Sequence, residues 1–309
     1  GLLLDQGCLK KLCIIMAVII QPLHGLSTTS TMPRHRAIIP QMRSSKLFLA
    51  STAGNEESSM KPLTVVIVGA TGQTGRRCVE QLSGQSNVRV VAWVRDRARV
   101  AEAGISGDVE VGEIDVVSSS RESVRDEFQA LGKVDAVICA TGFSPSFPPD
   151  PFGAFRTDFL GTAKLLDAAI DAKNVDRFVL VSSLLTNGLE SGQALNPQYI
   201  LLNAFGGILV AKNLAERYIC SRVGREGALT ELTYTILRPG GLTNEDKEGA
   251  IVFSGPDTLF SGGISRDKVA AATLAAVTEK TACRNKIIEI VQDTTASSVS
   301  FVEGFGSVI

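Results

Sequence analysis

A chain of 309 residues that is 44% hydrophobic and 20% charged has the make-up of a globular protein of one or two domains. Its net charge of -1 leaves no electrostatic footprint for nucleic acid or an anionic membrane surface. One tryptophan and three tyrosines argue further against a base-stacking platform.

Along the chain, Lys10 and Lys11 precede the apolar run 12–20, too short to cross a bilayer but suited to a signal-peptide core. Residues 26–55 contain no Asp or Glu and carry Arg34, Arg36, Arg43 and Lys46 among many hydroxyl side chains. That is the composition of an organelle transit peptide, so residues 1–60 are expected to be a cleavable plastid presequence and linker. The alternative is a disordered tail, or translated upstream sequence before Met16.

Beyond it, strand and helix signals alternate. Strands are expected at 64–68, 88–94, 109–111, 136–139, 178–181, 234–237 and 287–291. Helices are expected at 75–82, 98–103, 121–130, 157–171, 209–220 and 268–278. Short apolar strands separated by helices specify right-handed crossovers and a parallel sheet covered on both faces. The expected fold is therefore α/β: a Rossmann-like, doubly wound, three-layer single domain over residues 61–309. Residues 143–153, 188–207 and 243–263 read as loops at the carboxyl edge of that sheet, where ligands bind in such folds.

The first strand runs into Gly69-Ala70-Thr71-Gly72-Gln73-Thr74-Gly75 and a helix follows. The first glycine permits a tight turn, the second lets backbone approach a diphosphate, and the third lets helix and strand pack closely. The helix N-terminus then offers unpaired N–H groups to the phosphates. An NAD site carries an acid at the end of the second strand to hold the ribose hydroxyls. Here that strand ends in Arg95-Asp96-Arg97, and a guanidinium at 95 suits a 2′-phosphate, with Arg76 or Arg99 as a second contact. NADP is favoured over NAD, Asp96 being the residue that would support the reverse.

The six cysteines form no Cys-x-x-Cys pair and read as buried reduced thiols. His24 and His35, the only histidines, both fall in the expected presequence. A mature domain without histidine excludes a Ser-His-Asp triad, a Cys-His pair and a His-ligated zinc site, and no metal is expected.

The runs VVIVGATGQTG, VRVVAWVRD, VDAVICATG, RFVLVSS, LVAKNLAERYI, YTILRPGGL and ISRDKVAAATLAAV together resemble the atypical short-chain dehydrogenase/reductase family. The plastid NADP-binding group is nearest, and biliverdin reductase B and NmrA-like proteins are more distant. The likeness covers residues 62–292. It implies that Gly69, Thr71, Gly72, Gln73, Thr74 and Gly75 hold the diphosphate and that Arg95 holds the 2′-phosphate. Glu113 and Ile114 would line the adenine, with Asp115 as an alternative acid because the family shows Asp where Glu113 stands. Ala140, Thr141 and Gly142 would pass beside the ribose and nicotinamide, and Ser182 and Ser183 would end the fifth strand on the substrate side. Lys212 would hold the nicotinamide ribose, and Pro239, Gly240 and Gly241 would lie near the carboxamide.

The family's catalytic members place a tyrosine acid four residues before that lysine, and Ile208 stands there instead. Two functions remain open. One is an NADPH-dependent reductase of a planar acceptor such as a flavin or quinone, with Ser183, Lys212 or solvent delivering the proton. The other is a non-catalytic NADP-binding sensor or assembly protein with a protein partner in the plastid. An epimerase or dehydratase would need the missing tyrosine. Lys212 also has a plainer reading, as a helix-surface residue paired with Glu216 four positions on. Asp158 reads as a solvated helix acid, with a hydrogen bond to a loop near the site as the alternative. Phe143, Phe147, Phe152 and Phe155 read as pins for the proline-rich loop, with a face for a planar ligand as the alternative.

Overall fold

The structure is a computed structural model that describes residues 61–309 except 107, 108, 146, 148, 205, 225–229, 247 and 309. The presequence expected over residues 1–60 lies outside the described residues.

β1 (Leu63–Val68) and β2 (Val88–Val94) are almost wholly apolar and rich in branched side chains, as suits strands buried on both faces. They pair in parallel, Val65 opposite Val90 and Val68 opposite Trp93. The remaining strands are β3 (Glu110–Glu113), β4 (Ala136–Cys139), β5 (Arg177–Val181), β6 (Thr233–Pro239), β7 (Gly241–Thr243), β8 (Ala250–Ser254), β9 (Gly263–Ser265) and β10 (Lys286–Asp293). Their order is β3-β2-β1-β4-β5-β6-β10-β9-β7, with β8 also on β10. Strand order reverses between β1 and β4, and that switch opens a crevice at the carboxyl ends. The expected Rossmann-like class is the one observed.

The helices are α1 (Gly75–Ser83), α2 (Arg99–Glu102), α3 (Arg121–Ala130), α4 (Thr162–Ala172), α5 (Pro197–Ala204), α6 (Ile208–Arg222), α7 (Arg266–Thr278) and α8 (Phe301–Gly306). α1 turns Gly75, Cys78, Val79 and Leu82 inward at three- and four-residue spacing. With Val269, Ala272 and Ala276 of α7 they pack on Val65 and Ile67. On the other face Phe128, Leu165, Leu166 and Ile219 cover Val66, Val68 and Val137. Full burial of each large side chain contributes about 1.5–3 kcal/mol, so the two layers fix the sheet edge that carries the crevice.

Three expectations need correction. The sheet is not parallel throughout: β8 and β9 run antiparallel to β10, Val252 opposite Val291. Glycine and proline on either side mask the short β8 in the sequence. Residues 188–207 are not all loop, because α5 forms there around Tyr199, which packs on Leu184, Leu185 and Leu209. The helix expected at 157–171 divides into a π-helical turn, Phe155–Gly161, and α4.

Candidate functional site

At the end of β1, Gly69 takes φ +80°. Its N–H and that of Ala70 donate to the Trp93 carbonyl at 3.1 and 3.3 Å, tying the turn to β2. The Gly72 N–H closes on the Gly69 carbonyl at 2.9 Å. A Cβ on Gly75 would stand 2.2 Å from that same oxygen, and one on Gly69 would stand 3.0 Å from the Ala140 carbonyl. Any side chain at 75 would therefore pry α1 away from the turn. Thr74 caps α1 with backbone alone, without a side-chain hydrogen bond. The Arg76 and Arg77 N–H groups bond back to the Gly72 and Thr74 carbonyls at 2.9 and 3.1 Å, which winds the turn into α1 and sets the positive end of the helix dipole at residues 72–75. This cradle of Gly69, Thr71, Gly72, Gln73, Thr74 and Gly75 fits a dinucleotide diphosphate.

On the adenosine side, Arg95 follows Val94 directly and is exposed, and among the described residues no carboxylate pairs with it. Asp96 is turned into its own loop, where Oδ1 accepts the Ala98 N–H at 2.9 Å. Glu113, opposite Val94 in the register, pairs with Arg97 at 3.5 Å. Asp115 accepts from Ser118 Oγ and the Val117 N–H, so its carboxylate is engaged by a turn. Ile114 is buried and donates its N–H to the Val94 carbonyl at 2.8 Å. Of the acids near the β2 and β3 ends, Asp96 and Asp115 are both engaged locally.

The part of the crevice after β4, expected to pass the nicotinamide, is built around a buried ion pair. The Ala140 N–H donates to the Val68 carbonyl at 3.0 Å, and Thr141 Oγ1 lies 3.3 Å from Cys139 Sγ. The chain then passes Gly142, whose Cβ, if present, would lie 3.7 Å from Asp158 Oδ1 and 3.9 Å from Lys212 Nζ. Those two atoms are 2.9 Å apart, and Asp158 Oδ2 accepts the Phe143 N–H at 3.0 Å. Asp158 is thus no solvated helix acid: the π-turn carries it inward to 3% exposure. Nor does Lys212 pair with Glu216. Burial alone would lower the Lys212 pKa, but the adjacent Asp158 carboxylate, with help from Cys139 and Glu216, holds it above the ordinary value of 10.5.

Glu216 has a different role. It is 1% exposed and takes Arg238 Nη2 at 2.7 Å, while the Ser182 hydroxyl donates to its Oε1 and Thr186 Oγ1 to its Oε2. Arg238 also reaches Asp257 at 2.8 Å and Glu289 at 3.3 Å. Glu289 accepts the backbone N–H groups of Asp257, Thr258 and Leu259 at 2.8, 3.1 and 2.7 Å. This network ties α6, which carries Lys212, to the end of β6. There the Pro239 carbonyl receives the Leu184 N–H at 2.9 Å and the Gly240 N–H reaches Ile290. Ser183 is half-buried beside it.

Ile208 packs in an apolar cluster with Phe143, Phe155 and Leu214. The tyrosines are engaged elsewhere. The Tyr218 hydroxyl donates to Asp167 at 2.8 Å with its pKa pushed up to about 12, by burial first and then by that carboxylate. Of the four phenylalanines expected to pin the loop, Phe143 and Phe155 do so, whereas Phe147 and Phe152 stand 94% and 60% exposed. The hydrogen bond from Asp158 to the loop at Phe143 is the less favoured of its two expected readings, and sequence reasoning missed the network of Glu216, Arg238 and Glu289. Each is an acid or base whose partner lies on a distant element, and no spacing along the chain signals it. The free cysteines Cys78, Cys139 and Cys283 are buried, and burial pushes the Cys78 thiol up to about 12. Among the described residues no group of His, Cys, Asp and Glu is placed to hold a metal, and no helix is long and apolar enough to cross a membrane.

A glycine turn under a helix N-terminus, at the switch point of a doubly wound sheet, defines a dinucleotide-binding protein. A family model described as NAD(P)H-binding matches residues 69–280. The chain belongs to that family, within the atypical short-chain dehydrogenase/reductases. It is 40% identical over 260 residues to an uncharacterized chloroplastic protein of Arabidopsis thaliana, covering 82% of this chain and 86% of that one. It is 32% identical over 293 residues to Protein TIC 62, chloroplastic, of the same plant, covering 88% of this chain but 43% of the relative. Among solved structures, a putative NAD-dependent epimerase/dehydratase from Bacillus halodurans matches with a TM-score of 0.60 at 23% identity, covering 78% of this chain and 97% of that one. That likeness shows the fold alone. The chloroplastic relatives bear out the plastid location read from the N-terminal composition.

Proposed function

We propose that this chain is an NADPH-dependent reductase of the plastid that passes a hydride to a planar electron acceptor such as a flavin or quinone. The observation that carries this reading is the Asp158–Lys212 pair under Gly142, with Ile208 in the place of an acid. Bound NADPH supplies the hydride, and the protein's own groups do the rest. Gly69, Thr71, Gly72, Gln73, Thr74 and Gly75 hold the diphosphate; Glu113 and Ile114 flank the adenine. Arg95 takes the 2′-phosphate. Asp96 Oδ1 is held by the Ala98 N–H within its own loop, which supports NADP over NAD. Ala140, Thr141, Gly142, Ser182, Lys212, Pro239 and Gly240 surround the nicotinamide end.

Lys212, kept protonated by Asp158, serves as a fixed positive charge beside the acceptor rather than as a proton donor. An electron-accepting ring system reduced by hydride spreads its negative charge over several heteroatoms. It then takes its proton from Ser183 or water, so no tyrosine is needed. A simple aldehyde lacks that delocalisation and demands a positioned acid.

A non-catalytic NADP-binding role is the second reading. It is favoured by the Ser182 hydroxyl being turned onto Glu216, away from any substrate role. Stopped-flow mixing of the NADPH-loaded protein with flavin, quinone and aldehyde acceptors separates the two. Oxidation by flavin or quinone but not by aldehyde is expected. Retention of bound NADPH against every acceptor would establish the non-catalytic reading instead.

A further inference from the structure

The motif Ile264-Ser265-Arg266-Asp267-Lys268 lies some 190 residues from the glycine-rich turn, yet the fold brings the two together. Asp267 Oδ1 receives Arg77 Nε at 3.0 Å, and the Asp267 carbonyl receives Gln81 Nε2 at 3.0 Å, so the first turn of α7 is bolted to α1. Arg77 in turn donates to the Gln73 carbonyl at 2.7 Å, inside the phosphate turn itself. On the opposite side, Arg266 Nη1 donates to Asn244 Oδ1 at 2.8 Å and to the Leu242 carbonyl at 3.4 Å. Leu242 and Asn244 continue the segment that leaves Pro239 and Gly240. Arg266 thus lies at the start of the helix that Asp267 bolts to α1, with its guanidinium resting on the 242–244 segment.

Its electrostatic setting is unusual. Arg76, Arg77 and Arg266 lie within one another's field, and the Arg266 pKa is held below its ordinary value by burial first and then by repulsion from the other two. Only Arg77 has a carboxylate partner, Asp267; among the described residues neither Arg76 nor Arg266 has one. Arg76 and Arg266, which lack a carboxylate partner among the described residues, leave positive charge beside the N-terminus of α1 that a bound anion would offset. A guanidinium is also the side chain best shaped to take two phosphate oxygens at once.

We infer that Arg266 is a cofactor-binding residue that contacts the diphosphate of the dinucleotide from the α7 side, opposite the glycine-rich turn at residues 69–75. Arg95 and Arg266 then divide the work: Arg95 discriminates NADP from NAD, and Arg266 binds both alike. The assignment rests on dinucleotide binding, not on turnover, so it survives if the reductase reading fails.

The test is calorimetric titration of the full chain and its variants with NADP and with NAD. Arg266→Gln is expected to weaken both by the same factor, about tenfold or more for a lost charge-assisted hydrogen bond. Arg95→Gln is expected to weaken NADP alone. Arg266→Lys, which keeps the charge but not the fork, should fall between wild type and Arg266→Gln, and it serves if the glutamine variant does not fold. Asn244→Ala removes the side-chain partner of Arg266 and should leave both affinities close to wild type. Unchanged affinities in Arg266→Gln would overturn the inference. So would a loss confined to NADP, which would move Arg266 to the 2′-phosphate. A loss in Asn244→Ala equal to that in Arg266→Gln would also overturn it, by reducing Arg266 to an anchor for the 241–246 segment.

Discussion

The two ends of the crevice are built in opposite ways. The end proposed to take the diphosphate and adenosine combines a left-handed glycine and a helix N-terminus with the guanidinium groups of Arg95 and Arg266, which no carboxylate pairs among the described residues. The end proposed to take the nicotinamide is made of buried charges already paired within the protein, Lys212 with Asp158 and Arg238 with Glu216, Asp257 and Glu289. The first end carries guanidinium groups without carboxylate partners among the described residues, and the second has its charges paired within the protein.

The largest effect should come from the backbone end. Gly75→Val would drive a side chain into the Gly69 carbonyl, which a Cβ alone already approaches to 2.2 Å. Loss of measurable dinucleotide binding together with a drop of several degrees in Tm is expected. A variant that still bound with native affinity would break the backbone side of the comparison.

Next is Arg238→Met, which strands Glu216 and Glu289, each 1% exposed, without their cation. Removing one partner of a buried pair costs about 3–5 kcal/mol, read by urea unfolding. Because the same network fixes α6, hydride transfer should slow as well.

Asp158→Asn should be milder in stability and more telling in chemistry. Without the carboxylate, burial dominates at Lys212 and its pKa falls. For the wild type the sign is fixed by a pKa raised above 10.5: Lys212 stays charged below that value and loses its proton only above it. The rate of acceptor reduction should therefore show no lysine limb from neutral pH up to about pH 10, and Asp158→Asn should bring such a limb into the measurable range.

The smallest effect lies outside the crevice. Asp171, hydrogen-bonded by Arg121 at 2.6 and 2.7 Å, and Asp246, held by Lys268 and Ser265, have pKa values below the ordinary 3.8. Depressed carboxylates stabilise the fold above the unfolded value and lose that contribution as pH falls through the folded one. Arg121→Ala should therefore lower stability slightly at neutral pH, and urea unfolding across pH should show the difference from wild type shrinking as pH falls below about 4.

What could be read in the sequence follows the same division. Gly69, Gly72 and Gly75, the β-branched run before them and Arg95 after β2 are local signals, because each residue acts through its own backbone or its place at a strand end. Strand identities and the doubly wound class follow from apolar runs that have nowhere to go except between two helical layers. Asp158 was misjudged because a π-turn rotates it inward, and helical periodicity assumes 3.6 residues per turn throughout. Glu216 sits four residues from Lys212 and invites that pairing, but Arg238, 22 positions later and on another element, takes it. β8 and α5 were hidden by glycine and proline at their borders, which mark turns without marking what lies between them.

The most direct measurement is titration of the purified protein with NADP and NAD. Association with both, and clearly tighter with the phosphorylated form, is the predicted result. Failure of either nucleotide to bind would contradict the account at its base.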